Sequence, residues 1–210
     1  MKKVAVSIHA QENFSIDLLA NLEGYDYIHV DVMDGKFVPV SNLNLDTFRL
    51  IHSNYNTPII AHLMVENPIE FIEPIIDSIY GFLFHFEIEK DKTLIINSIK
   101  NFNKLVGLVI NPHTAVEEIK EFLPHIDIIL VLGVEPGWSG QKFNKSVINK
   151  VNKLAEWKKQ YKNYNYQIDV DGGVNLKTAS LLKNADILTS ASAILTSPDP
   201  NNVIKRLKEI

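Results

Sequence analysis

Apolar runs recur along the whole chain, separated by segments whose apolar residues repeat at helical spacing. The apolar runs predict strands at residues 4–8, 25–33, 57–65, 82–86, 105–110, 126–134, 166–170 and 187–190. The intervening segments predict helices at residues 14–22, 93–101, 115–123, 144–160, 176–183 and 201–208. One more helix is predicted to open at Pro68, since proline suits the first position of a helix.

This alternation predicts an α/β fold, because continuous apolar runs are typical of parallel strands that helices cover on both faces. Eight strand–helix units in a chain of 210 residues fit a single (β/α)8 TIM barrel that spans residues 1–210. A doubly wound open sheet is the alternative. It is less favoured because the polar residues follow several different strands instead of gathering at one crevice.

Composition narrows the classes of protein. The formal net charge is -4, so no basic excess indicates nucleic-acid binding. No run approaches the roughly 20 apolar residues of a membrane span, and the first residues do not form a signal peptide, so a cytoplasmic protein is expected. The chain has no cysteine, which excludes disulfides, thiolate metal sites and a cysteine nucleophile.

The second predicted strand carries the most informative polar pattern. Alternate residues of a strand point to one side, so His29, Asp31 and Met33 share a face, and an Asp-Gly turn follows them. Such a histidine and carboxylate can bind a metal, transfer a proton or simply pair with each other. His62 at the end of the third strand and Asp171 at the end of the seventh extend the set to two imidazoles and two carboxylates. That set suits Zn, Fe(II) or Mn(II) better than Ca or Mg, although spacing alone favours a hydrogen-bonded structural role about equally.

Glycine-rich segments follow the later strands, where barrels usually bind phosphate. Gly172 and Gly173 indicate a backbone with positive φ or a close approach by a ligand, and a plain turn is the alternative. The loop at residues 135–141 and the segment at residues 190–192 can turn backbone amides toward an anion.

Other polar and soft residues receive less specific interpretations. Met33 and Met64 lie in register with the candidate ligands, either as core filler or as an apolar lid over reacting carbons. Glu87 and Glu135 are interpreted as structural or supporting partners. The remaining histidines without a partner pattern are interpreted as structural or surface residues: His9, His52, His113 and His125.

With these motifs in order, the chain resembles the ribulose-phosphate 3-epimerase family over nearly its whole length. The resemblance rests on HVDVMDGKFVP at the second strand, HLMVENP at the third, VEPGWSGQKF at the sixth and VDGGVN at the seventh. It implies an isomerase of the pentose phosphate pathway that converts D-ribulose 5-phosphate to D-xylulose 5-phosphate. It also implies one divalent metal ion, Zn, Fe(II) or Mn(II), a sugar-phosphate substrate and a homo-oligomer, either a dimer or a hexamer.

The resemblance assigns roles residue by residue. His29, Asp31, His62 and Asp171 match the metal ligands, and Asp31 and Asp171 also match the two acid/base carboxylates. The substrate-binding positions are Ser7, Met33, His62, Met64, Gly137, Trp138, Ser139, Gly140, Asp171, Gly172, Gly173, Ala191 and Ser192.

Several positions depart from the usual family pattern: His9, Val40, Ala61, Trp138, Ser139 and Ala191. The ligand set is intact, whereas Ser139 and Ala191 each add a Cβ where a backbone approaches phosphate. Two further functions therefore remain open. One is 3-epimerisation of a six-carbon ketose phosphate such as D-allulose 6-phosphate, and the other is a sugar-phosphate-binding barrel without turnover.

Overall fold

The protein is described here by a computed structural model, which describes residues 1–138 and 141–210. Eight parallel strands form a closed barrel, because the first strand pairs with both the second and the last. The barrel strands are β1 (Lys3–His9), β2 (Tyr27–Asp34), β4 (Ile59–Met64), β5 (Gly81–His85), β6 (Leu105–Ile110), β7 (Ile128–Leu132), β8 (Gln167–Asp171) and β9 (Ile187–Ser190). A short strand, β3 (Ser41–Asn42), pairs antiparallel with the end of β2. The predicted (β/α)8 barrel is confirmed.

Helices and single helical turns cover the outside of the barrel. The α-helices are α1 (Asp46–Asn54), α2 (Ile69–Ile75), α3 (Lys92–Asn101), α4 (Ser146–Gln160), α5 (Leu176–Ala179), α6 (Ser192–Leu195) and α7 (Pro200–Glu209). The 3₁₀ turns are Ile16–Leu18, Ile76–Ser78, Val116–Ile119 and Leu123–His125. The outward faces of the strands pack against these elements in one large apolar core.

A second, smaller apolar cluster fills the barrel interior. It includes Ala5, Tyr27, Ile60, Leu83 and Leu130, one inward-facing residue from each of several strands. These side chains lie below the carboxyl ends of the strands, so the polar residues at those ends sit on an apolar plug. The carboxyl-terminal end of the barrel is the face where barrel enzymes place their chemistry.

Three predicted helices are wrong in extent, and the one predicted at residues 176–183 ends at Ala179. Residues 14–22 form only the turn Ile16–Leu18, since successive amides there bond to the carbonyl three residues earlier and Leu19 alone is buried. Residues 115–123 form only the 3₁₀ turn Val116–Ile119 and the first residue of a second turn, Leu123–His125. Short segments with few buried apolar residues lack the tertiary packing that stabilises an α-helix. Conversely, α1 was not predicted, although it buries Phe48 and Ile51.

Across the two described ranges of the chain, we find no helix that is both long enough and apolar enough to cross a membrane.

Candidate metal centre

Four side chains converge at the carboxyl-terminal end of the barrel, and we call them the His/Asp cluster: His29, Asp31, His62 and Asp171. One ligand atom from each lies within 4.8 Å of all the others. His62 Nδ1 is 2.8 Å from Asp31 Oδ1, and His29 Nε2 is 3.1 Å from the same oxygen. His29 Nε2 is also 3.8 Å from Asp171 Oδ2. The four residues that sequence and resemblance brought together are therefore adjacent in space.

The barrel register explains this convergence. Alternation along β2 turns both His29 and Asp31 inward, and Asp31 lies beside His62 of β4 in the parallel pairing. Asp171 comes from β8, which is separated from β2 by β1 and β9. The two carboxylates thus enter the cluster from different sides of the barrel.

Neighbouring groups hold both carboxylates in place. The Ser7 hydroxyl donates to Asp31 Oδ2 at 3.2 Å, and the Gly172 amide donates to Asp171 Oδ1 at 2.6 Å. The Asp31 side chain is 8% exposed and that of Asp171 is 15% exposed. Asp171 is the more accessible of the two, and both residues border the cavity above the cluster.

Burial and mutual charge give the cluster unequal pKa values. Burial alone would raise the pKa of Asp31, but its contacts with His29 and His62 hold that pKa well below its usual range. Burial raises the pKa of Asp171 to about 7, and the charge of Asp31 adds to this effect. Burial disfavours protonation of His29, yet the surrounding carboxylates, Asp31 first, outweigh it and raise the pKa to about 9. Burial lowers the pKa of His62 to about 4.

A chain of hydrogen bonds leads away from His62. His62 Nε2 lies 2.9 Å from His85 Nε2, and His85 Nδ1 lies 3.3 Å from Glu87 Oε2. The other oxygen of Glu87 accepts from the Asn111 amide at 2.7 Å and from the Thr114 hydroxyl. Burial alone would raise the pKa of Glu87, but these hydrogen bonds, His85 first, lower it. Glu87 is therefore a supporting partner, as its sequence position suggested.

His29 has a different environment. Its Nδ1 is buried and has no hydrogen-bond partner within the described residues. One layer deeper, Asp169 is almost fully buried and accepts from the Thr189 hydroxyl at 2.9 Å. Burial raises the pKa of Asp169 to about 6.

The chemistry of the donors fits a divalent cation. Two carboxylates and two imidazoles share one buried space, and in the described ranges no lysine or arginine pairs with either carboxylate. A bound divalent ion would neutralise the two negative charges and accept one lone pair from each group. Nitrogen and oxygen donors in this proportion suit Zn, Fe(II) or Mn(II).

A cavity of about 510 Å³ opens above the cluster. The sequence-predicted residues that line it are Ser7, Asp31, Met33, His62, Met64, Gly137, Trp138, Asp171, Gly172, Gly173, Ala191 and Ser192. His29 lies beneath the cavity floor and is fully buried. Ser139 and Gly140, the other two predicted positions, lie outside the described residues.

Met33 and Met64 form an apolar part of the cavity wall, which also contains Leu132, Val134 and Phe143. Met33 and Met64 pack together with Val38, and Val40 lies partly buried against them. Both methionines are nearly buried and border the cavity, so they pack as core residues, and their role as a lid over reacting carbons stays a prediction.

The predicted glycine conformations are confirmed. Gly172 has φ +91° and Gly173 has φ +72°, backbone conformations that residues with a side chain rarely adopt. A Cβ at Gly172 would lie 2.7 Å from Val134 Cγ2, so the position is also too close to its neighbour for a side chain.

Three functional candidates were missed from the sequence. His9 was interpreted as structural or surface, but its Nε2 lies 3.7 Å from Asp31 Oδ2 and the residue lines the cavity. The signal was present, because His9 follows Ser7 at strand spacing and must share its face. Lys142 and Lys145 also line the cavity, beyond the glycine-rich loop, and no strand pattern marks them.

Comparisons with known proteins agree with this geometry. The model of the Ribulose-phosphate 3 epimerase family matches residues 3–195. A ribulose-phosphate 3-epimerase of Methanocaldococcus jannaschii is 37% identical over 188 residues, which are 89% of this chain and 80% of that protein. The Treponema pallidum ribulose-phosphate 3-epimerase is 35% identical over 176 residues, which are 82% of this chain and 80% of that protein.

Solved structures with low identity share the fold. KGPDC from Streptococcus mutans superposes with a TM-score of 0.72 at 10% identity, over 100% of this chain and 96% of that chain. The 3-hexulose-6-phosphate synthase from Salmonella typhimurium gives a TM-score of 0.68 at 13% identity, over 99% of this chain and 97% of that chain. Because the family model and these two relatives match most of the sequence, the chain belongs to the ribulose-phosphate 3-epimerase family and is an isomerase.

Proposed function

We propose that the protein catalyses metal-dependent 3-epimerisation of D-ribulose 5-phosphate to D-xylulose 5-phosphate, with residues 1–210 acting as one catalytic unit. The observation that carries this proposal is the convergence of Asp31 and Asp171, from strands that are not neighbours, on one cavity beside two imidazoles. Inversion at a carbon needs a proton removed on one side and returned on the other, and two carboxylates on different walls supply that arrangement.

In this mechanism, one aspartate removes the proton from C3 of the ketose and the other returns a proton to the opposite face. The ligands of the metal would be His29, Asp31, His62 and Asp171. When bound there, the divalent ion would stabilise the negative charge that develops on the substrate oxygen beside C3. Ser7 keeps the Asp31 carboxylate oriented through its hydrogen bond.

The rest of the cavity would position the sugar. Met33 and Met64 form an apolar wall with Val38, which would limit the access of water to the reacting carbons. The phosphate would lie beside the backbone at Gly172 and Gly173, and beside Ala191 and Ser192, in the region where barrels bind phosphate.

A coupled assay tests the proposed reaction. Metal-free protein supplied with Zn²⁺, Mn²⁺ or Fe(II) should convert ribulose 5-phosphate to xylulose 5-phosphate, and a chelator should stop the conversion. Absence of product with every one of these ions would overturn the proposal. It would leave two interpretations: an epimerase of a six-carbon ketose phosphate, or a sugar-phosphate-binding barrel without turnover.

The second candidate substrate is a six-carbon ketose phosphate such as D-allulose 6-phosphate. Two observations favour it: Val40 packs against the methionine wall, and Trp138 is 54% exposed at the cavity mouth. Both residues depart from the family pattern: Trp138 lines the cavity, and Val40 packs against the methionines that line it. Comparing kcat/KM on the two substrates decides between them, and a preference for the pentose rejects the six-carbon candidate.

We also propose that the protein is a dimer or a hexamer, as the family resemblance implies. Sedimentation velocity across a range of concentrations tests this, and a monomer at all of them would contradict it.

A further inference from the structure

We propose that His85 and Glu87 are positioning residues that hold His62 in the tautomer whose Nδ1 is free to bind the metal. This inference rests on the proposed metal role of the His/Asp cluster. Neither residue touches the cavity, so neither is a candidate for contact with the substrate.

The geometry consists of consecutive contacts that run outward from the cluster. Asp31 Oδ1 is 2.8 Å from His62 Nδ1, and His62 Nε2 is 2.9 Å from His85 Nε2. His85 Nδ1 is then 3.3 Å from Glu87 Oε2. His62 and His85 are buried, so water does not compete for these ring nitrogens.

The proton positions follow from the outer end of this chain. Glu87 as a carboxylate can only accept hydrogen bonds, so His85 must present its N–H at Nδ1. In a neutral His85, Nε2 is then the acceptor, and His62 must donate from its own Nε2. In the metal-loaded protein, the lone pair of His62 would therefore lie on Nδ1, the atom that faces Asp31 and the rest of the cluster. A metal-bound histidine is generally oriented in this way by a partner on its other ring nitrogen.

The outer end of the chain is fixed to the barrel. Glu87 Oε1 accepts from the Asn111 amide at 2.7 Å and from the Thr114 hydroxyl. Lys150 of α4 donates to the carbonyls of Asn111 at 2.9 Å and of Thr114 at 2.6 Å, which pins the same loop. The Asn111 amide can only donate, so the atom at the Oε1 position must be an oxygen that accepts.

This constraint makes Glu87→Gln a sharp test. The oxygen of the new side chain must face the Asn111 amide, so its NH₂ group must face His85 Nδ1. His85 then has to accept at Nδ1 and donate from Nε2, and the proton of His62 moves to Nδ1, where it blocks the metal. We expect the affinity for Zn²⁺ or Mn²⁺ to fall by about 10- to 100-fold in competition with a chelating dye.

Glu117→Gln provides the matched control. Glu117 is an exposed carboxylate that pairs with Lys153 of α4, on the same helix as Lys150 and away from the cavity. The metal affinity of the Glu117→Gln variant should equal that of the unchanged protein. Circular dichroism and the thermal midpoint of the metal-free variants check that each one folds.

We call the hydrogen-bond chain His62–His85–Glu87 the relay. A second variant separates the effect of the relay from that of local packing. His85→Phe keeps a ring beside Phe37, whose centroid lies 4.5 Å from that of His85, but removes the acceptor for His62 Nε2. Metal affinity should fall in this variant too. Once His85 is Phe, adding Glu87→Gln should cause little further loss, because the two residues act through one chain. If Glu87→Gln lowered the metal affinity by the same factor with and without His85→Phe, the relay would be contradicted.

The tautomer itself can be read from the ring ¹⁵N signals of the Zn²⁺-loaded protein. We expect His62 to carry its proton on Nε2 and His85 to carry one proton, on Nδ1. A doubly protonated His85, or a Glu87→Gln variant with unchanged metal affinity, would overturn the inference and leave the proposed function standing. An unchanged protein that binds no divalent ion would overturn both the relay and the proposed metal centre.

Discussion

The His/Asp cluster and the rim of the cavity are built in contrasting ways. We define the rim as Gly137, Trp138, Gly172, Gly173, Ala191 and Ser192. The cluster consists of buried side chains that project from strand ends and hold one another at 2.8 to 3.8 Å. The rim presents backbone and exposed side chains, among them Trp138 at 54% exposure, and it departs from the family pattern at Trp138 and Ala191. Under the proposed function, the strand-end side chains would carry out the chemistry and the loop backbone would bind the substrate.

The largest effect is expected from Asp171→Asn in the cluster. This change removes one of the two proton-transfer carboxylates and a metal ligand, so kcat should fall by about 10³-fold or more. The coupled ribulose 5-phosphate assay measures it. Asp46→Asn is the matched control, since Asp46 is exposed on α1 and pairs only with Arg49 among the described residues, and its activity should be unchanged. A fully active Asp171→Asn variant would refute the proposed acid/base role.

A smaller effect is expected at the rim. Ala191→Gly restores the glycine of the usual family pattern and removes a Cβ from the cavity wall beside the proposed phosphate position. KM for ribulose 5-phosphate should fall by less than about tenfold with kcat unchanged, because the change acts on ground-state binding. A change in kcat instead would contradict the claim that the cluster carries out the chemistry and the rim only binds the substrate.

A third prediction concerns stability, and it tests whether burial shifts the pKa of a carboxylate one layer below the cluster. The pKa of Asp169 is raised by burial to about 6, above its ordinary value. Between the two values the folded protein keeps a proton that the unfolded chain releases, so Asp169 lowers stability as pH rises through that window. At neutral pH the penalty is at most about 3 kcal/mol.

Asp169→Asn should remove this penalty. The stability of the metal-free variant relative to the unchanged protein should therefore rise between pH 4 and pH 7, as measured by urea unfolding. A stability difference that does not change with pH would show that folding does not raise the pKa of Asp169. Within the cluster and the layer below it, shifted carboxylate pKa values would then be confined to Asp31 and Asp171.

The sequence was sufficient to predict the barrel and the cluster because both depend on periodic patterns. Alternation along one strand placed His29 and Asp31 on the inner face, and the strand order brought His62 and Asp171 to the same end. The same rule would have placed His9 beside Ser7, but His9 was assessed alone and its contact with Asp31 was missed.

The relay could not be predicted in the same way. His62 pairs with Leu83 across β4 and β5, so its contact with His85 depends on the stagger and tilt of the barrel strands. A sequence pattern does not specify that stagger. The 3₁₀ turns at Ile16–Leu18 and Val116–Ile119 are similar cases, because the number of buried contacts, and not the apolar spacing, decides whether a full helix forms.

The most direct measurement of the central claim is hydrogen exchange at C3. Ribulose 5-phosphate is incubated in deuterated water with metal-loaded protein, and the products are followed by NMR. We expect xylulose 5-phosphate labelled with deuterium at C3, no label incorporated when the protein is chelated beforehand, and incorporation restored when the metal is added back. Absence of label at C3 of the product formed by metal-loaded protein, or incorporation of label by fully chelated protein, would contradict the claim that the His/Asp cluster is a metal centre for epimerisation.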